Sequence, residues 1–173
     1  NTTGAAFYDS DDAEIASPAG INCDGNFSMS GGTFTISGTG AAGKGITTDG
    51  TVTITDGQLN ISVTGADFIS NGDTSEAKGI KADGVLLISG GAISIAATDD
   101  GIKSEATLAI NGGQVTISKS TEGIEAPVIS FGGGYTSVVS SDDCVNATYG
   151  NGSESNDGSL LTFASGTIIL NST

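Results

Sequence analysis

The chain has no arginine, no histidine and no tryptophan, and sets five lysines against 20 carboxylates. A formal net charge of −15 excludes a nucleic-acid binder, because phosphate backbones are held by cationic contacts. The two cysteines, Cys23 and Cys144, form no Cys-x-x-Cys pair and have no histidine partner, so the usual nitrogen and sulfur metal motifs are excluded too. No apolar run approaches the roughly 18 residues that cross a bilayer, and membrane insertion is not expected. Only two prolines accompany 28 glycines, which implies many tight turns. The numbering starts at Asn1, with neither an initiator Met nor a basic, apolar leader, which leads to the expectation of a processed chain secreted to the extracellular space or cell surface.

What the chain has is a phrase that returns about every 22 residues. One copy reads Gly79-Ile80-Lys81-Ala82-Asp83, then Leu86-x-Ile88-Ser89-Gly90-Gly91-x-Ile93-x-Ile95. The next reads Gly101-Ile102-Lys103-Ser104-Glu105, then Leu108-x-Ile110-Asn111-Gly112-Gly113-x-Val115-x-Ile117. Further openings stand at Gly20-Ile21, Gly45-Ile46, Gly123-Ile124 and, in altered form, Cys144-Val145. Within each copy apolar residues alternate with period 2, the mark of strands, and small glycine turns part the arms. A unit of this size cannot bury its apolar face alone, so neighbours must stack. The pattern predicts an all-β, right-handed parallel β-helix of about six coils, each with three short strands. It spans residues 20–173, behind an N-terminal segment, residues 1–19, that caps the stack or donates a strand. Residues 38–44, 64–78 and 149–159 read as surface loops.

Aligning the repeats places the acidic residues in columns. Asp24, Asp49, Asp83 and Glu105 stand four positions after the opening glycine. Asp100, Glu122 and Asp143 stand immediately before it or its cysteine counterpart, with Asp99 and Asp142 one place earlier. Strand neighbours are about 4.8 Å apart, so in-register carboxylates repel. Lysines in the ladder relieve this, and Lys44, Lys78, Lys81 and Lys103 fall in or beside these columns. A bridging cation relieves it as well. An oxygen-only donor set suits Ca²⁺, which takes about 6–8 oxygens. The corner with Asp99, Asp100, Glu105, Glu122, Glu125, Asp142 and Asp143 is the expected Ca²⁺ site, with Asp83, Asp49 and Asp24 as further candidates.

The phrases Asp-Asp-Gly-Ile, Gly-Ile-Lys-Ala-Asp and Ile-x-Gly-Gly, over roughly residues 20–147, resemble a bacterial family of carbohydrate-binding-domain-containing proteins. The resemblance implies a calcium-binding, right-handed parallel β-helix of polysaccharide-lyase-like topology, exported, with affinity for cellulose or acidic plant polysaccharides such as polygalacturonate. It carries over Asp99, Asp100, Asp142 and Asp143 as calcium ligands.

Catalysis is not expected. A lyase needs a basic lysine or arginine, and ion pairing at the columns should raise the lysine pKa values. An inverting or retaining hydrolase needs two carboxylates across a cleft. A sugar platform normally offers aromatic rings, yet Phe27, Phe34, Phe131 and Phe163 fall at inward positions. The outward residues are small and uncharged, among them Ser28, Thr53, Thr35, Asn60, Ser94 and Thr116. Open strand edges at both ends lead instead to the expectation of a structural subunit that binds copies of itself head to tail as a fibre. The alternative is a non-catalytic, calcium-dependent binding module for acidic or plant cell-wall polysaccharide. Cys23 and Cys144 lie about 24 Å apart by strand spacing, too far for a bridge within one subunit, and are candidates for an intersubunit disulfide. Asn-x-Ser/Thr sequons at Asn1, Asn26, Asn60, Asn146, Asn151 and Asn171 carry little weight in so Ser/Thr-rich a chain.

Overall fold

The computed structural model describes residues 4–11, 13–150 and 156–173. Its strands are β1 (Phe7–Asp9), β2 (Glu14–Ala16), β3 (Ala19–Cys23), β4 (Phe27–Gly38), β5 (Lys44–Thr48), β6 (Val52–Val63), β7 (Phe68–Ser70), β8 (Asp73–Ser75), β9 (Ile80–Ala82) and β10 (Leu86–Ile88). They continue as β11 (Ala92–Ala97), β12 (Ile102–Ser104), β13 (Thr107–Ile110), β14 (Gln114–Lys119), β15 (Ile124–Ala126), β16 (Val128–Phe131), β17 (Tyr135–Ser140), β18 (Val145–Ala147), β19 (Leu160–Phe163) and β20 (Thr167–Ser172).

The protein is all-β, but the expected β-helix of short three-strand coils is corrected. The first and second arms do not stay separate. In β4 and β6 they run on as single 12-residue strands. Strand β6 pairs with β10 through Val52–Ile54 and with β11 through Gln58–Val63, so both sets of arms join one ten-stranded parallel sheet, curled as a half-barrel. Its order is β19-β16-β13-β10-β6-β11-β14-β17-β20, with β4 also on β6. At the corners where the arms merge, Gly32 (φ 79°) and Gly57 (φ 100°) are left-handed and the ladder resumes just beyond them at Thr33↔Gln58. Gly91 and Gly113, at φ 82° and 78°, part β10 from β11 and β13 from β14, but each of these strands still pairs on its neighbours in the same sheet. A second parallel sheet, β18-β15-β12-β9-β5-β3, carries the opening phrases.

The inward residues are those the alternation marks. Ile46, Ile80, Ile102 and Ile124 line one sheet, and Val52, Leu86, Leu108 and Ile129 the other, all fully buried. Partners such as Leu86↔Leu108 and Ile102↔Ile124 sit directly in register. The core runs thin at the ends. Phe131 is buried, whereas Phe163, stacked on it with ring centroids 4.9 Å apart, is 51% exposed because no strand among the described residues lies beyond β19. Phe34 on β4 is likewise 43% exposed.

The N-terminal segment and the loop over residues 64–78 each fold into an antiparallel hairpin, β1–β2 and β7–β8. The two hairpins touch through Ser17 and Ser75, whose hydroxyls are 2.8 Å apart. Part of the expected loop at 149–159, residues 151–155 with the Asn151 sequon, lies outside the described residues, as do residues 1–3 and 12.

The opening glycines have a packing reason. A Cβ on Gly79 would lie 2.3 Å from the Gly101 carbonyl oxygen and 2.6 Å from the Ile95 side chain. Gly20, Gly45, Gly101 and Gly123 meet the following repeat's carbonyl and an inward Ile or Val in the same way. The sixth opening, Cys144, stands on the edge strand's approach, with no further repeat described beyond it. Gly79→Ala is therefore expected to destabilise the fold by about 3 kcal/mol in urea unfolding. Gly25→Ala, where a Cβ meets nothing within 4 Å, should stay within about 0.5 kcal/mol of the parent.

Candidate functional site

Register turns the opening phrase into charged columns. The residue before each opening position forms one: Lys44, Lys78, Asp100, Glu122 and Asp143. The carbonyls of Lys78, Asp100, Glu122 and Asp143 accept from the amides of Gly45, Gly79, Gly101 and Gly123. Two places after the opening, β3, β5, β9, β12, β15 and β18 stack Asn22, Thr47, Lys81, Lys103, Glu125 and Asn146. Charges of opposite sign meet on successive rungs of these columns.

Lys78, almost buried, donates to both Asp99 Oδ2 and Asp100 Oδ2 and lies 3.1 Å from Glu76. Lys103 Nζ is 2.5 Å from Glu125 Oε1 and 4.0 Å from Glu105. Lys81 pairs with Asp83. Asn146 donates to Glu122 Oε1 at 3.1 Å and to Glu125 Oε2 at 3.3 Å.

This arrangement leaves carboxylates in excess. Asp100, Glu122 and Glu125 each bring one oxygen to within 4.8 Å of the others, the one such group among the described residues. Asp100 is 1% exposed, and its Oδ1 has no hydrogen-bond partner. Burial pushes the Asp100 carboxyl up from its ordinary range, against the pull of Lys78. Glu122 is pushed up to about 8, first by its hydrogen bond with Glu125 and then by burial. At Glu125 burial works against ionisation, but the hydrogen bonds from Glu122 and Lys103 outweigh it and hold the group below its ordinary range. The cluster thus retains a proton or recruits a cation.

The other expected ligands stand apart from this cluster. Asp99 turns to Lys78. Asp142 and Asp143 are exposed, and Asp24, Asp49, Asp83 and Glu105 form an exposed column. Both cysteines are free thiols: Cys23 is half-buried, and Cys144 is buried with its sulfur accepting from Ser140 Oγ at 3.1 Å.

Lys44 departs from the expectation that ion pairing raises the lysines. Lys78 and Lys103 are raised, their carboxylate partners overcoming the cost of burial. Lys44 instead is lowered to about 8, by burial first and by the Lys78 charge second. It lines a cavity of ≈ 720 Å³ between the two hairpins and the six-stranded sheet. Reading the sequence missed this cavity, although Asn71-Gly72 carries the signal. Both residues take positive φ, at 52° and 90°, and form the two-residue turn joining β7 to β8. Elsewhere the outer face of the ten-stranded sheet offers small polar side chains over a shallow depression of ≈ 210 Å³, among them Gln58, Asn60, Ser94, Gln114 and Thr116.

A family model described as carbohydrate-binding domain-containing protein matches residues 1–123. The chain belongs to that carbohydrate-binding family. The matched span covers both hairpins, the ≈ 720 Å³ cavity and two members of the carboxylate cluster, Asp100 and Glu122. No curated protein matches the chain, and no solved structure does. No helix among the described residues is long and apolar enough to cross a membrane. Family membership identifies a carbohydrate-binding module, and amide and hydroxyl groups on the outer sheet face are the donor and acceptor types that meet sugar hydroxyls.

The raised Glu122 pKa makes a signed prediction for metal-free protein. Its contribution to stability is fully present below the ordinary value of 4.5 and is lost as pH rises through about 8. Thermal melts in chelator should show stability falling across that window, and Glu122→Gln should flatten this part of the profile.

Proposed function

We propose that this family member is a non-catalytic, calcium-dependent module for acidic or plant cell-wall polysaccharide, working outside the cell. The observation that carries the calcium reading is the buried, unpartnered Oδ1 of Asp100, whose carboxyl groups with those of Glu122 and Glu125. A buried carboxylate oxygen without a donor costs free energy, and a cation removes that cost. The donor set is entirely oxygen, which favours Ca²⁺ over transition metals. Asp100, Glu122 and Glu125 would hold the ion. Asp99 is engaged by Lys78, while Asp142, Asp143, Asp83, Asp49, Asp24 and Glu105 offer weaker, exposed positions.

Absence of catalysis has support in the lysines. Lys103, beside the cluster, is tied to Glu125 and held in its charged form, which removes it as a base. Lys44 has the ionisation a base needs, but its Nζ donates to Ser75 Oγ and to the Glu76 carbonyl.

End-to-end assembly of copies is the second reading. The observation favouring it is the outer edge of β19 and β20, where Leu160, Leu161, Phe163, Ile169 and Leu170 are 39–56% exposed. A bridge from Cys23 to Cys144 of another copy belongs to this reading.

The test is retention on polygalacturonate and cellulose, with calcium and with excess EDTA, alongside thermal melts. Calcium should raise the melting temperature and support retention, and EDTA should reverse both. Asp100→Asn should lose most of the calcium-dependent stabilisation, since metal that binds only the folded state stabilises by mass action. Equal melting temperatures in calcium and EDTA would remove calcium from the reading, and release of unsaturated uronides would remove the non-catalytic assignment.

A further inference from the structure

We propose that the cavity between the two hairpins and the six-stranded sheet is the saccharide site of this chain, and that Lys44 in it receives the carboxylate of an acidic sugar unit. The proposal rests on the carbohydrate-binding reading and gives it a place and a selecting residue.

The hairpins build the walls. Strand β2 brings Glu14 and Ser17 follows it, while β8 brings Thr74 and Ser75; the Ser17–Ser75 contact joins the two sides. Strands β3, β5 and β9 supply Asn22, Thr47 and Lys81, which lie in register. At ≈ 720 Å³ the cavity falls in the range of small-molecule sites, about 300–1,000 Å³.

Charge is sorted by depth. Three of the chain's five cationic residues, Lys44, Lys78 and Lys81, line this one cavity. Lys44 is 8% exposed and Lys78 7%, whereas three of the four lining carboxylates, Glu14, Asp24 and Asp49, are exposed; the fourth, Glu76, is half-buried and drawn to Lys78 at 3.1 Å. A chain of net charge −15 therefore holds buried lysines at the floor of this cavity beneath a rim of exposed carboxylates.

Among the described residues, one charge of the floor has no counter-ion. Lys78 is taken by Asp99, Asp100 and Glu76, and Lys81 by Asp83. Among the described residues no carboxylate lies within 4.0 Å of Lys44. Two neutral oxygens, Ser75 Oγ at 3.0 Å and the Glu76 carbonyl, accept from its ammonium, which has three donors. A buried ammonium without an anion is costly, and burial together with the Lys78 and Lys81 charges lowers its pKa to about 8, with Glu76 and Asp99 acting in the opposite sense. A ligand carboxylate beside Lys44 removes that cost. The sugar hydroxyls then face Asn22, Thr47, Ser17 and Thr74, a neutral set suited to them.

The experiment is calorimetry of the calcium-loaded protein with digalacturonate and with cellobiose, on the parent, Lys44→Met and Lys81→Met, together with the Lys44 side-chain pKa followed by NMR. Digalacturonate should bind the parent at least tenfold more tightly than cellobiose. Lys44→Met should lose that preference, with a smaller loss for Lys81→Met. The Lys44 pKa should rise on binding, because a neighbouring anion favours the charged amine. Digalacturonate binding unchanged in a folded Lys44→Met variant would overturn the cavity assignment and leave the module reading standing. If that variant does not fold, the NMR arm decides: a Lys44 pKa unmoved by bound digalacturonate overturns it equally. Parent protein that binds neither sugar nor polysaccharide would overturn the module reading itself.

Discussion

Parallel backbone hydrogen bonding between each repeat and the next, in register, is the constraint from which the other features follow. It stacks like upon like, so a favourable residue type is multiplied along a column and so is an unfavourable one. Isoleucine and leucine columns profit, because each inward side chain packs on its equals above and below. Carboxylate columns suffer for the same reason. The chain answers by setting lysines on adjacent rungs of the same columns, so that Lys78 meets Asp100 and Lys103 meets Glu125.

That answer stops one charge short. Beyond Lys103 the column continues as Glu125 and Asn146, and Glu122 then lacks a cation of its own. The raised Glu122 pKa follows first from the glutamate that stands where a lysine stood one rung earlier, while burial lifts Asp100 and leaves its Oδ1 unpartnered beside them. The partners are also unevenly shared toward the other end of the six-stranded sheet, where Lys78 draws Glu76, Asp99 and Asp100, Lys81 draws Asp83, and Lys44 is left over. One domain thus carries a buried deficit of positive charge at one place and, among the described residues, a buried lysine without a carboxylate partner at another.

Much of this was legible in the sequence. Alternation identified the inward residues from Val52 to Ile129, and phase placed Asp100, Glu122 and Glu125 at one corner. Three things were not legible. Glycine turns that bend a strand look, in sequence, like turns that end one, so the merging of arms in β4 and β6 went unseen. The hairpin at Asn71-Gly72 falls outside the repeat, and its polar surroundings look, in sequence, like a plain loop. Phe34 and Phe163 obey the inward pattern yet stand open, because burial depends on a neighbouring repeat that the local pattern does not encode. Lys44 shows the same limit: its column predicted a carboxylate neighbour, and folding gave it a hydroxyl and a carbonyl.

The bare glycine column carries a further meaning at its last member. From Gly20 to Gly123 every opening residue lacks a side chain because the carbonyl of the following repeat comes to 2.3–2.8 Å of where a Cβ would stand. Cys144 has that side chain. A seventh rung laid on the six-stranded sheet at the same pitch would collide with it. The residue therefore closes the bare column, and the six-stranded side has no room for a further strand laid flush on it.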